Sequence, residues 1–201
     1  TLRARSQWTS IYLTGYIYRM HSILPHTDNP ALREKALEIQ IGEISGTRIQ
    51  TLVHDMKALL AKEKFGVALA ASQVGEPVRL FIVSGRALAQ RIHSEDGDEA
   101  PEESDSPAPV DQVYINPEYV KISKKKTDKH EGCLSIRGKW GMVPRAEKAS
   151  IRAYDENGIR FTRGASGFLA HIFQHEMDHL DGVLYSDKAS ELYDDKHEDD
   201  E

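Results

Sequence analysis

The stretch His171-Ile172-Phe173-Gln174-His175-Glu176-Met177-Asp178-His179-Leu180 decides what the centre of this fold is and what it can hold. Four residues advance an α-helix by about 400°, so His175 and His179 lie about 40° apart on one face, one turn along, and both imidazoles can reach one metal ion. Glu176 adjoins the first histidine, placed to take a proton from water beside the metal rather than to bind the ion. A helix with polar residues in register would spell the same letters, so the arrangement depends on a third ligand.

The continuation His-Glu-x-x-His-x-x-Gly-x-x-His fails at its end: Gly182 falls on schedule, but Tyr185 stands where the last histidine should be. A glutamate ligand would have to be Glu191, Glu198 or Glu201, in an acidic tail that reads as solvated and frayed from 191 to 201. His171 lies eight residues, or about 12 Å of helix rise, from His179, so it cannot share one ion with both and is expected to pack or hydrogen-bond nearby. There remains Cys133, the only cysteine, in Glu131-Gly132-Cys133-Leu134-Ser135. A single cysteine forms no internal disulfide. Beside a two-histidine helix its thiolate completes an open catalytic set of two His and one Cys. The expected ligands are Cys133, His175 and His179.

The segments Glu131–Ser135, Gln174–His179 and Gly66-Val-Ala-Leu-Ala-Ala-Ser-Gln-Val-Gly75 together resemble the three motifs of the peptide deformylases, in the family's order along the chain. Ile115–Glu118 and Val143–Lys148 extend the resemblance, which runs from about Ile17 to Asp187. It implies a hydrolase that removes the N-terminal formyl group from the formyl-methionine of newly made polypeptides and releases formate. Further implications are one divalent metal per chain, Fe²⁺ natively with Zn²⁺, Ni²⁺ or Co²⁺ as substitutes, and Glu176 as the acid–base group. The family places donors to the reacting oxygen at the side-chain amide matching Gln73 and the backbone N–H matching Leu134. It lays substrate backbone along Gly66, Val67, Ala68 and Leu69, and lines the methionine pocket with residues matching Phe168, His171 and Ile172. The chain departs from the family at Ala68, which replaces a glycine, at Lys129 and His171, which replace apolar residues, and over Arg137-Gly-Lys-Trp140.

Composition agrees with one catalytic domain. The chain has 201 residues, 39% of them hydrophobic and 29% charged, enough for one sizeable core. No apolar run is long enough to span a bilayer, and a net charge of −6 argues against a general nucleic-acid binder. Neither a membrane nor a nucleic-acid partner is expected; the partner is the nascent formyl-peptide, near the ribosome. Lys124-Lys125-Lys126 reads as a solvated turn. Residues 1–27 contain arginines but no acid, a composition shared by organellar transit peptides, so a mitochondrial location is expected, with plastid and bacterial cytoplasm as alternatives. The expected organisation is an N-terminal extension over 1–16, a catalytic domain over 17–187 with a mobile acidic insert at about 93–110, and an acidic tail over 188–201.

Ile49, Leu52, Val53, Met56, Leu59 and Leu60 follow helical spacing and predict an amphipathic helix over about 47–64. Residues 78–84 and 113–122 read as strands, and Asn157-Gly158 as the turn of a hairpin. A second helix begins near Ser166 and stops before Gly182. The fold class is α+β, with antiparallel strands packed around a central metal-binding helix.

Overall fold

The computed structural model describes residues 11–13, 16–18, 21–94 and 110–194. In chain order the elements are β1 (Ile11–Leu13) and β2 (Tyr16–Tyr18), α1 (Thr47–Lys62), β3 (Ala68–Ala70), β4 (Leu80–Val83) and α2 (Gly85–Ser94). There follow β5 (Gln112–Ile122), β6 (Lys126–Cys133), β7 (Ile136–Ala146), β8 (Lys148–Tyr154), β9 (Arg160–Ser166), α3 (Gly167–Leu180), α4 (Tyr185–Lys188) and β10 (Glu191–Asp194). The strands form a five-stranded sheet in the order β3-β4-β5-β8-β9, a three-stranded sheet in the order β10-β7-β6, and the short pair β1-β2. All of these pairings are antiparallel. The class is α+β, as the element pattern predicts.

The continuous apolar run of β4 has a simple cause: the five-stranded sheet is covered on both faces. Strand residues alternate between faces, so Phe81 and Val83 join Ala68, Ala70 and Tyr114 against α3, whereas Leu80 and Ile82 join Leu69, Val113 and Ile115 against α1. Helix α1 supplies Ile49, Leu52, Val53, Met56 and Leu60 to its face, and each apolar side chain so buried contributes about 1.5–3 kcal/mol. On the α3 face Phe81 stacks on Tyr114 at 4.7 Å between ring centroids, and Phe173 meets Tyr114 edge-on at 5.3 Å. Ten residues of α3 are buried. Sheet and loops wrap it, so polar residues of the helix, His171, Gln174, Glu176 and His179, are buried along with the apolar ones.

The end of α3 is fixed at Gly182, whose φ of +74° suits glycine. A side chain there would also come within 3.0 Å of the Arg33 carbonyl. The hairpin at Asn157-Gly158 forms, but its connection spans residues 155–159 rather than two residues, with Gly158 at φ +77° and the Asp155 carboxylate accepting from the backbone of Asn157 and Ile159.

Two elements differ from expectation. Helix α2 begins where Ser84 Oγ accepts from the Ala87 N–H, a cap that the preceding strand hides in the sequence. The tail expected to fray from Glu191 instead starts with β10, which pairs residue by residue with Lys139–Met142 of β7. An edge strand accepts charged side chains because its outer side faces water; Asp194 pairs with Lys139 at 2.8 Å, and Tyr193 hydrogen-bonds His130. The expected mobile insert lies outside the described residues over 95–109, while His93 and Ser94 belong to α2. Residues 1–10 and 195–201 also lie outside them. Among the described residues no helix is long and apolar enough to cross a membrane.

Candidate metal centre and substrate cleft

Cys133 ends β6, immediately before the Leu134-Ser135 turn into β7, and this hairpin carries the thiol onto the face of α3 that bears the two histidines. The ligand atoms of Cys133, His175 and His179 lie within 4.8 Å of one another. Cys133 Sγ is 3.3 Å from His179 Nε2, and the two imidazoles stand perpendicular with centroids 4.8 Å apart. Tyr185, at the position of the missing third histidine, is buried; it stacks near His175 and donates its hydroxyl to the Lys139 carbonyl at 2.8 Å. Glu191 lies in β10 and is no part of the ligand cluster, and Glu198 and Glu201 lie outside the described residues.

The donor set fits a divalent ion. One thiolate and two imidazoles suit Fe²⁺ or Zn²⁺. Two buried polar atoms beside them, Glu176 Oε2 and His179 Nδ1, find no partner among the described residues. Buried polar atoms in folded proteins are ordinarily paired, so the Glu176 oxygen marks a place for water or substrate. Burial pushes the Glu176 carboxyl up to about 7, with His175 pulling the other way. Burial lowers His179 well below 6.5, the direction a ligand needs. Burial would lower His175 too, but Cys133 and Glu131 outweigh it and raise His175 well above 6.5; the proton so held is one that a bound metal ion would displace.

Behind His175 sits a charge network that sequence reasoning missed. His175 Nδ1 is 2.9 Å from Glu131 Oε2, which leaves Nε2 to face the ligand position. The other carboxylate oxygen is 2.8 Å from His171 Nε2, and Arg145 donates to both oxygens. Arg145 continues to Asp178 at 2.6 Å, which also meets Lys188. Burial would raise the Glu131 pKa, but the hydrogen bonds from Arg145, His171 and His175 outweigh it and hold the carboxyl well below the usual range. Glu131 therefore stays ionised and fixes the His175 ring. In sequence its only signal was adjacency to the Cys133 motif. His171 hydrogen-bonds nearby, one of the two outcomes expected of it.

A cavity of about 290 Å³ opens from the ligand cluster, with Gly66, Val67, Ala68 and Phe65 on one wall, residues 130–140 on the other, and Phe168, His171 and Ile172 along α3. Gln73 and Leu134 also line it. Gln73 is held by a 3₁₀ turn over Ala71–Val74; its Oε1 accepts from the Ala70 N–H at 2.8 Å, and its Nε2 points at Cys133 Sγ and Ser135 Oγ, 3.4 Å from each. Buried Asn29, unremarked in the sequence, donates to the Ser72 and Gln73 carbonyls and holds that turn.

Strand β3 is an edge, and Ser84 donates to the Val67 carbonyl, so by alternation Ala68 turns its N–H and C=O away from β4 toward the cavity. Leu69 must be corrected as a substrate-lining residue: it is fully buried against α1 and does not line the cavity. Ala68 keeps a negative φ, so the glycine it replaces is not needed for conformation. Lys129 does not reach the cavity, whereas Trp140 lines it and lies over Gly132, where an added Cβ would sit 3.3 Å from the ring.

The model of the polypeptide deformylase family matches residues 20–195. Peptide deformylase 2 of Nostoc sp. is 38% identical over 161 residues, covering 80% of this chain and 82% of that protein. Peptide deformylase 1A, chloroplastic/mitochondrial, of Arabidopsis thaliana is 37% identical over 172 residues, covering 80% of this chain and 58% of that protein. The crystal structure of a peptide deformylase from Legionella pneumophila superposes with a TM-score of 0.67 at 32% identity, covering 85% of this chain and 86% of that one. The chain belongs to the peptide deformylase family, metal-dependent hydrolases that remove the N-formyl group from nascent polypeptides.

Proposed function

We propose that deformylation in this chain is carried by Glu176, with Cys133, His175 and His179 holding the metal. The observation that carries this reading is the unpartnered, buried Glu176 Oε2 beside three converging ligand atoms at the head of the cavity. Held by Cys133, His175 and His179, a divalent ion would polarise the formyl carbonyl and acidify water. Glu176 accepts a proton from the attacking water and returns it to the amine nitrogen as the C–N bond breaks, a task suited to a carboxyl pushed up to about 7. The Gln73 amide and the Leu134 N–H donate to the oxygen of the reacting carbon, where negative charge develops. The free N–H and C=O of Ala68 pair with the extended peptide, which joins β3 as an added strand. Phe168, Ile172 and the wall formed by His171 receive the methionine side chain, and Gly66 and Val67 border it.

Thiolate and imidazole ligands support Fe²⁺ as the native ion. Acid-free residues 1–27 support delivery to an organelle, the mitochondrion, where the enzyme meets chains leaving the ribosome. A reporter fused to the full N-terminus tests the location; a diffuse cytosolic signal counts against it. Formate release tests the reaction: purified, metal-loaded protein frees formate from formyl-methionyl peptides and cuts no internal bond. Internal cleavage without formate release would reverse the assignment.

A further inference from the structure

Arg137 and Glu63 join the two walls of the cleft. Arg137 stands on β7 in the wall formed by residues 130–140, and Glu63 caps α1 just ahead of the wall formed by residues 65–68. The guanidinium grips the carboxylate with two bonds, Nη2 to Oε1 at 2.8 Å and Nη1 to Oε2 at 3.1 Å, across 74 residues of chain. Both anchors are firm. The Glu63 carbonyl accepts from the Gly66 N–H and from Arg86 of α2, and any side chain at Gly66 would strike the Glu63 Cβ at 2.7 Å. Arg137 follows Ile136, which is buried under Leu184 and Tyr185. The pair itself is at the water boundary, with the two side chains 58% and 23% exposed.

The geometry points to this ion pair as a latch over the outer cleft, which reads the charge of the two residues that follow formyl-methionine. This rests on the deformylase reading above. A peptide paired with Ala68 has its formyl end at the ligand cluster, so the chain beyond methionine leaves between the walls that Arg137 and Glu63 connect. At the water boundary the pair can exchange partners at modest cost, because water solvates the carboxylate that is released. Guanidinium matches carboxylate in a planar two-bond fork, so an acidic substrate side chain can take the place of Glu63 on Arg137. Arg137 lines the cavity and Glu63 does not, so a lysine in the same place meets the guanidinium first and is repelled. Peptides with an acid after methionine are therefore the preferred class.

The test uses holoenzyme and formyl-methionyl tripeptides carrying glutamate or lysine at each of the two following positions, with every kcat/KM divided by that of formyl-methionine amide, which ends before the latch. The wild type favours glutamate by about three- to fivefold, through KM and not kcat, and the preference shrinks in 0.5 M salt. Arg137→Gln brings the ratio to about one. Glu63→Gln raises it, because the Glu63 carboxylate no longer competes with the substrate for Arg137. A merely structural pair would not move the ratio in opposite directions in the two variants, and equal melting temperatures check that both fold. Formate release with the same ratio in all three proteins overturns the latch alone; no release from any formyl-peptide overturns the deformylase reading and the latch with it.

Discussion

Glu131 Oε2 lies 2.9 Å from His175 Nδ1, and the same carboxylate is gripped by buried Arg145. The contact fixes which imidazole nitrogen faces the ligand position and makes the ring a stronger donor. Glu131→Gln keeps the shape but not the charge. It should weaken metal binding by about 10- to 100-fold, read by chelator competition. Arg145 keeps Asp178 as a partner, so the loss of stability should stay below the roughly 3–5 kcal/mol of a buried charge left uncompensated. Unchanged metal affinity would separate Glu131 from the centre.

Cys133→Ala removes one of three ligand atoms and the only negative charge among them. Elemental analysis should find the metal lost or greatly reduced, with the β6–β7 hairpin still formed. Full occupancy in this variant would mean that the ligand lies elsewhere.

His21 couples the segment ahead of α1 to the protein body in a pH-dependent way. The Glu76 carboxylate, and the Asp55 carboxylate at 2.7 Å, raise its pKa above 6.5 against the opposing pull of burial. Glu76 is lowered below 4.5 by His21 and Arg48, with burial opposing. Stability from His21 is fully present below 6.5 and is lost as pH rises through its folded value; that from Glu76 is present above 4.5 and is lost as pH falls through its folded value. The contribution of the pair is therefore greatest between 4.5 and 6.5. Melting of wild type and His21→Gln should differ most near pH 6 and converge toward pH 9. A pH-independent difference would leave His21 only a packing role.

How much of this the sequence disclosed depends on how local each signal is. The spacing of Ile49, Leu52, Val53, Met56 and Leu60 reports a buried helix face within a few turns of chain, and His175, Glu176 and His179 report their own register. Cys133 was reachable by elimination because the chain offers no other thiol. Glu131 and Arg145 were not reachable. Either residue reads as ordinary solvated charge, and only the fold, which leaves their side chains 1% and 4% exposed, turns them into a support for His175. Strand β10 was hidden by its charged ends, since an edge strand needs no alternating pattern on its water side. Leu69 was misassigned because a motif gives residues in order but not the face to which each points; alternation in β3 sends Ala68 to the cleft and Leu69 to the core.

The role of Glu176 as proton carrier is the most direct point of attack. Glu176→Gln preserves size and polarity but cannot take the proton, and Glu176 is not among the three converging ligand residues. Metal content, melting temperature and formate release from a formyl-methionyl peptide should be measured on one preparation. Metal and melting should match wild type, KM should change little, and kcat should fall by about 10²- to 10⁴-fold, the usual loss for an acid–base group. Formate release by the metal-loaded variant at near wild-type rate would contradict the mechanism.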